Sequence, residues 1–303
     1  MSEKEQIPQK ESIADALKKY KEQRGMSANE NKAIGASIPK PPAYNPQEFE
    51  NTMSRETDPD LMTSYEIVKL PSKGLFYSHG ISEVNVEYMT SRDEDLLTTP
   101  SLIENGTVID VLLKRKIKTP GIVVSDLLAG DRSAIILFLR TSSYGADYTV
   151  QVTDPRTGLP FKTTIDLQKL KYKEVTEMPD EHGHFKVELP MRKKVATIKL
   201  LTVGEDQEIF KRAEAMKEAS GGDFSEYSTM KLKAHVIAIG DNTDRSYINK
   251  FIDAMPALDA FTIRKKLLEV SPEIDMTYEF TTKDGYKFTA NLSLGIDFFF
   301  PNT

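Results

Sequence analysis

Twice in this 303-residue chain a stretch with helical spacing gives way to a short stretch that alternates every second residue around a turn. In YGADYTVQVTDPRTGLPFKTTIDL, Tyr148, Val150 and Val152 alternate with polar residues. Asp154, Pro155 and Gly158 supply a turn, and Phe161, Thr163 and Ile165 begin the return. In MTYEFTTKDGYKFTANLSL, Tyr278 and Phe280 precede a DG turn, and Tyr286 and Phe288 follow it. A period of 2 demands strands, and connections this short make them antiparallel hairpins. The stretches between them carry the helical period, so the expected class is α+β, with helical bundle segments and short antiparallel hairpins. Both hairpins follow helical stretches and share the order Tyr, apolar, Thr, turn, Phe, Thr, apolar, Leu. That order points to a weak internal duplication.

The start of the chain is different in kind. Six of the 16 prolines, Pro8, Pro39, Pro41, Pro42, Pro46 and Pro59, fall there among polar residues. Such a stretch buries too little apolar surface to offset the roughly 1–2 kcal/mol per residue that backbone ordering costs. Residues 1–63 are therefore expected to be a disordered tail, followed by α+β domains over 64–175 and 176–303. Within the tail, SIADALKKYKEQRG sets Ile13, Leu17 and Tyr20 on one helical stripe, with Ser12 at a cap position and Asp15 three residues on. It reads either as a recognition helix for a partner's groove or as a transient local helix.

Further along, YEIVKLPSKGLFY and SEVNVEYM read as two short strands, and Thr90 with Asp93 opens a helix toward Pro100. Helices are expected to dominate from about residue 90 to 143, in GTVIDVLLKRKI and SDLLAGDRSAIILFLRTSSYG, with a break at Gly130 before a capping Asp131. HFKVELP and KKVATIKLL read as strands. VGEDQEIFKRAEAMKEA, TMKLKAHVIAIG, RSYINKFIDAM and ALDAFTIRKKLLEV read as helices, although Val236, Ile237 and Ile239 also suit a strand.

Several kinds of chemistry are absent from the residues. With no Cys there is no disulfide, thiolate metal site or cysteine nucleophile. His182 and His184 form the closest histidine pair, but no third ligand stands at an informative spacing, so no metal site is expected. The contiguous Asp93, Glu94 and Asp95 read as a solvated helix start. Neither a GxSxG elbow nor a Gly-rich phosphate cradle occurs, so no catalytic residue and no cofactor site is assigned. The formal charge of −6 argues against nucleic acid as a partner, and Lys114, Arg115, Lys116, Lys118 and Arg192, Lys193, Lys194 read as solvated faces or protein interfaces. The apolar residues, 39% of the chain, are interrupted too often for a membrane span, and the polar, acidic start lacks a secretory signal, so a cytosolic product is expected.

The segments LPSKGLFY, YMTSRDEDLL, VIDVLLKRKI, DLLAGDRSAIILFLR, SYGADY and the closing FFFP, in this order, resemble the baseplate hub assembly proteins of T-even-type contractile-tailed bacteriophages. The resemblance covers roughly residues 64–301 and implies a non-enzymatic protein that helps build the hub, in the host cytoplasm and, if retained, in the virion baseplate. Its implied partners are hub or tail-initiation proteins, with self-association as a further outcome. The alternatives are a permanent baseplate or tail subunit and a tail-associated hydrolase or nucleic-acid-processing protein. Relatives look able to carry a cysteine-rich, ribbon-like turn in the first hairpin. Here VTDPRTGLPF and TTKDGYKF contain no Cys, so packing and turn geometry must hold both hairpins. Candidate interface residues are Ile13, Leu17, Tyr20, Asp131, Arg132, Tyr144, Phe298, Phe299 and Phe300. The three terminal phenylalanines have two readings, closure of the core or an exposed assembly patch.

Overall fold

Tyr65–Lys69 (β1) and Glu83–Glu87 (β2) pair antiparallel, with Val68 opposite Val84, and the alternation of β2 buries Val84 and Val86 on one face. The structure is a computed structural model that describes residues 64–300, apart from residues 78, 79, 174, 176, 222–224, 283 and 293–295. The tail and its stripe of Ile13, Leu17 and Tyr20 lie outside the described residues. Short helices follow at Ser91–Leu97 (α1), Pro100–Glu104 (α2) and Val108–Lys116 (α3), then the long Ala129–Tyr144 (α4). Asp93 Oδ2 accepts the Thr90 N–H at 2.8 Å, which secures the start of α1.

The first expected hairpin forms from Asp147–Thr153 (β3) and Pro160–Asp166 (β4), with Val150 opposite Thr163 and Val152 opposite Phe161. Lys171–Tyr172 (β5) is a short strand whose partner comes much later in the chain. His184–Glu188 (β6) and Val195–Lys199 (β7) then pair antiparallel. Val203–Ala219 (α5) is a 17-residue helix opened by Thr202, whose hydroxyl accepts the Glu205 N–H while Glu205 accepts the Thr202 N–H. The remaining helices are Tyr227–His235 (α6), Arg245–Asp253 (α7) and Ala257–Val270 (α8).

TMKLKAHVIAIG is not one helix, contrary to expectation. Helix α6 stops at His235, and Val236–Ile239 (β8) adds to β7 as the third strand of a sheet ordered β6-β7-β8. Val236, Ala238 and Ile239 are buried there, and the pairing with β7 supplies backbone partners that a helical continuation would have had to find locally.

Ile274–Asp275 (β9) pairs with β5, and the second expected hairpin follows as Thr277–Thr281 (β10) and Lys287–Asn291 (β11), with Phe280 opposite Phe288. A single 3₁₀ turn, Ile296–Phe299, ends the described chain. The buried residues sort into two clusters. One joins β1, β2, α1, α3, α4 and the first hairpin to Ile274, Phe280, Phe298 and Phe299. The other joins the three-stranded sheet to α6, α7 and α8. The chain thus builds part of the first core, builds the second, and returns to complete the first.

Gly130 does not break α4, another departure from expectation. The helix starts at Ala129, with Leu128 at the cap position and Asp131 already in the first turn. Gly130 is glycine because the two backbones touch: a Cβ there would lie 1.9 Å from the Pro272 carbonyl oxygen.

Candidate interaction site

The sequence-predicted residues separate by depth. Asp131 is fully buried. Its Oδ1 accepts the Ser72 N–H at 2.9 Å, and its Oδ2 accepts the Tyr77 hydroxyl at 2.5 Å. The Tyr77 oxygen in turn accepts the Leu128 N–H at 3.0 Å. LPSKGLFY reaches this point because it doubles back through Lys73 and Gly74, both at positive φ; a Cβ on Gly74 would lie 2.5 Å from the Gly80 carbonyl oxygen. Burial pushes the Asp131 carboxyl up against the pull of the Ser72 and Tyr77 hydrogen bonds, and burial beside that carboxylate keeps Tyr77 a neutral phenol. The chemistry of this cluster is to lock a turn to a helix start.

Arg140, at the other end of α4, is also buried. Its guanidinium donates to the carbonyls of Phe298 at 2.8 Å, Gly145 at 3.0 Å and Asp147 at 3.4 Å, and it lies against the rings of Tyr144, Tyr148 and Phe298. Phe298 meets Tyr148 edge-on at 5.1 Å and Phe299 edge-on at 6.0 Å. Phe298 and Phe299 are in the core, and Phe300 is half-buried against it. The segments SYGADY and FFFP, distant in sequence, are thus brought together by one arginine.

Asp93 and Lys116 lie deeper than the sequence indicated. Asp93 is fully buried, not solvated, because Lys116 Nζ reaches it at 2.6 Å while also donating to the Tyr88 carbonyl and pairing with Glu87. Burial alone would raise the Asp93 carboxyl, but the Lys116 and Thr90 hydrogen bonds outweigh it and hold the group below its ordinary value. At the hairpin tips, Arg156 bridges Asp154 at 3.0 Å and Asp284 at 2.8 Å and stacks over Tyr286 at 4.0 Å, while Phe161 meets Phe288 edge-on. The two hairpins hold one another, a link carried by no spacing in the sequence.

Arg132 and Tyr144 are half-buried. Arg132 Nη2 donates to Asp110 Oδ1 at 2.8 Å, and Gln207 donates to the other Asp110 oxygen. Tyr144 donates to Glu94 at 2.8 Å, and burial with that carboxylate pushes its phenol up to about 12. Arg132 rims a cavity of about 640 Å³ that Asp206, Tyr227, Lys231 and His235 also line. Lys231 and Tyr227 both bind Asp206, and His235 Nδ1 lies 2.8 Å from the Lys199 carbonyl, with burial pushing the imidazole down. These polar groups are committed to one another. His182 and His184 share Asp180, which accepts both backbone N–H groups. Among the described residues no group of three or more His, Cys, Asp or Glu side chains is placed to hold a metal ion, and no helix is long and apolar enough to cross a membrane. What the surface does offer is apolar area: Phe210 on α5, and Leu258, Phe261 and Leu268 on α8.

No curated protein and no solved structure matches the chain. A family model described as T4 bacteriophage base plate protein matches residues 62–300, which takes in both cores and every segment that meets at Asp131 and at Arg140. With the whole of the described fold inside that match, the chain belongs to the T4 bacteriophage base plate protein family.

Proposed function

We propose that this chain is a non-enzymatic baseplate hub assembly protein that works by shape-specific association with hub or tail-initiation proteins. Family membership over residues 62–300 is the observation that carries the reading. Where the polar side chains are engaged supports it: Asp93, Lys116, Asp131 and Arg140 hold elements of the fold together, and Arg132 and Tyr144 are paired with Asp110 and Glu94. The apolar side chains left outside are suited to association. In this reading Asp131, Phe298 and Phe299 act by shaping the lobe. Arg132, Tyr144, Phe300 and the stripe of Ile13, Leu17 and Tyr20 meet partners, in the host cytoplasm during assembly.

Quantitative mass spectrometry of infected-cell assembly intermediates beside mature virions, normalised to a known hub component, tests this. Enrichment in hub intermediates and absence from virions marks a dissociable assembly factor. Equal stoichiometry in both marks a permanent structural subunit. Absence from hub intermediates, or turnover of a substrate by the purified chain, overturns the reading.

A further inference from the structure

Helix α8 is apolar on two opposite sides. Ala260, Ile263, Leu267 and Val270 are buried in the second core, whereas Leu258, Phe261 and Leu268 are 51%, 59% and 64% exposed. At 3.6 residues per turn the two sets centre roughly 150° apart. A helix with two apolar sides belongs between two layers, and the described residues supply one. An exposed turn docks at the start of the helix from its buried side. Asp259 accepts the backbone N–H groups of Met191 and Arg192 at 2.8 and 3.0 Å, which brings Met191, itself 59% exposed, beside the start of α8.

Charge selects the occupant. Arg264 and Lys265 lie on the outward side of α8, and Arg192 and Lys193 lie in the exposed turn docked at its start. The acidic residue on that side of the helix, Glu269, is paired with Lys265. In a chain of net charge −6, this apolar strip is therefore edged by cations. Two copies meeting through it would oppose like charges, whereas an acidic partner would not. The apolar residues at 258, 261 and 268 form a lengthwise ridge, the shape that another helix packs along.

We propose that the outward face of α8 docks an acidic amphipathic helix of a partner protein. This rests on the protein-association reading above and adds to it the surface and the chemistry of the partner.

The test uses the full chain and three fluorescein-labelled 18-residue peptides, read by fluorescence anisotropy at low and high salt. One peptide is an amphipathic helix with Leu and Phe on one face and Glu on the other. The second has the same composition scrambled, and the third replaces Glu with Lys. The acidic amphipathic peptide is expected to bind at least tenfold tighter than either control, with affinity falling as salt rises. Phe261→Gln with Leu268→Gln should remove that advantage without lowering the melting temperature, and R264E with K265E should shift preference to the basic peptide. Equal binding of all three peptides, or an advantage that survives F261Q/L268Q, overturns the proposal. So does a dimer seen by sedimentation that F261Q/L268Q abolishes, since the occupant would then be a second copy. Peptide binding by a chain absent from hub intermediates would retain the docking face and reject the hub reading, and the opposite pair of results would do the reverse.

Discussion

The Tyr77 hydroxyl donates to Asp131 Oδ2 at 2.5 Å, joining the turn after β1 to the first turn of α4 across 54 residues of sequence. Removing the hydroxyl leaves a buried carboxylate oxygen and the Leu128 N–H each short of a partner. Y77F should therefore cost about 1–3 kcal/mol in urea unfolding at neutral pH. An unchanged midpoint would show that water replaces the hydroxyl without loss.

Asp93 and Asp131 are both buried and should respond to acid in opposite directions. Asp93 is held below its ordinary value, so its contribution is full above about pH 4 and is lost as pH falls through the lowered value. Asp131 is held above its ordinary value, so its contribution is full below about pH 4 and is lost as pH rises through the raised value. Unfolding free energy measured from acid to neutral pH should fall more steeply toward acid in D131N than in the parent chain, and less steeply in D93N.

The Asp93–Lys116 pair lends itself to a double-mutant cycle. K116M strands a buried carboxylate and should cost about 3–5 kcal/mol. D93N combined with K116M should cost clearly less than the two single changes added together. Additive costs would mean that the two side chains do not stabilise one another.

Truncating Phe298 removes a ring packed against Tyr148, Phe299 and Arg140, and F298A should cost about 3–5 kcal/mol in thermal or urea unfolding. R140K keeps the charge but loses the planar fork that serves three carbonyls, and about 1–3 kcal/mol is expected. A neutral R140K would assign the stabilisation to charge alone.

The link between the hairpin tips should show in amide exchange. R156A is expected to speed exchange at 154–159 and 284–286 while leaving α4 unaffected. In the parent chain, added salt should do the same to a lesser extent. Asp154 and Asp284 both lie below the ordinary carboxylate range, because Arg156 bonds the first and Thr282 and Arg156 bond the second. The protection they give should therefore persist as pH falls to about 4 and fade below it.

Much of the fold was readable from periodicity and caps. VGEDQEIFKRAEAMKEA and ALDAFTIRKKLLEV coincide with α5 and α8, and both hairpins form in the expected places. The boundary between α6 and β8 was not readable, because Val236 and Ile239 fit either period and the presence of β7 decided between them. Asp93 looked solvated because its two acidic neighbours are, while the lysine that buries it sits in another helix. Arg156 and Asp284 come together only once the hairpins pack. The outward face of α8 was written in the sequence as Leu258, Phe261 and Leu268, but the inward apolar residues interleave with them, and packing was needed to tell the two sides apart.

The interleaving of the two cores sets an order for synthesis. Leu167 and Ile274 belong to the same core, and the ribosome must translate the whole of the second core between them, which at ordinary elongation rates takes roughly 5 to 20 s. During that interval the apolar faces of β2, α3 and α4 wait for Phe280, Phe298 and Phe299. The later core has all its parts first and can close while the earlier one stands open. A nascent chain stalled before Phe298 would therefore carry a finished second lobe and an exposed first one, the state most in need of a chaperone.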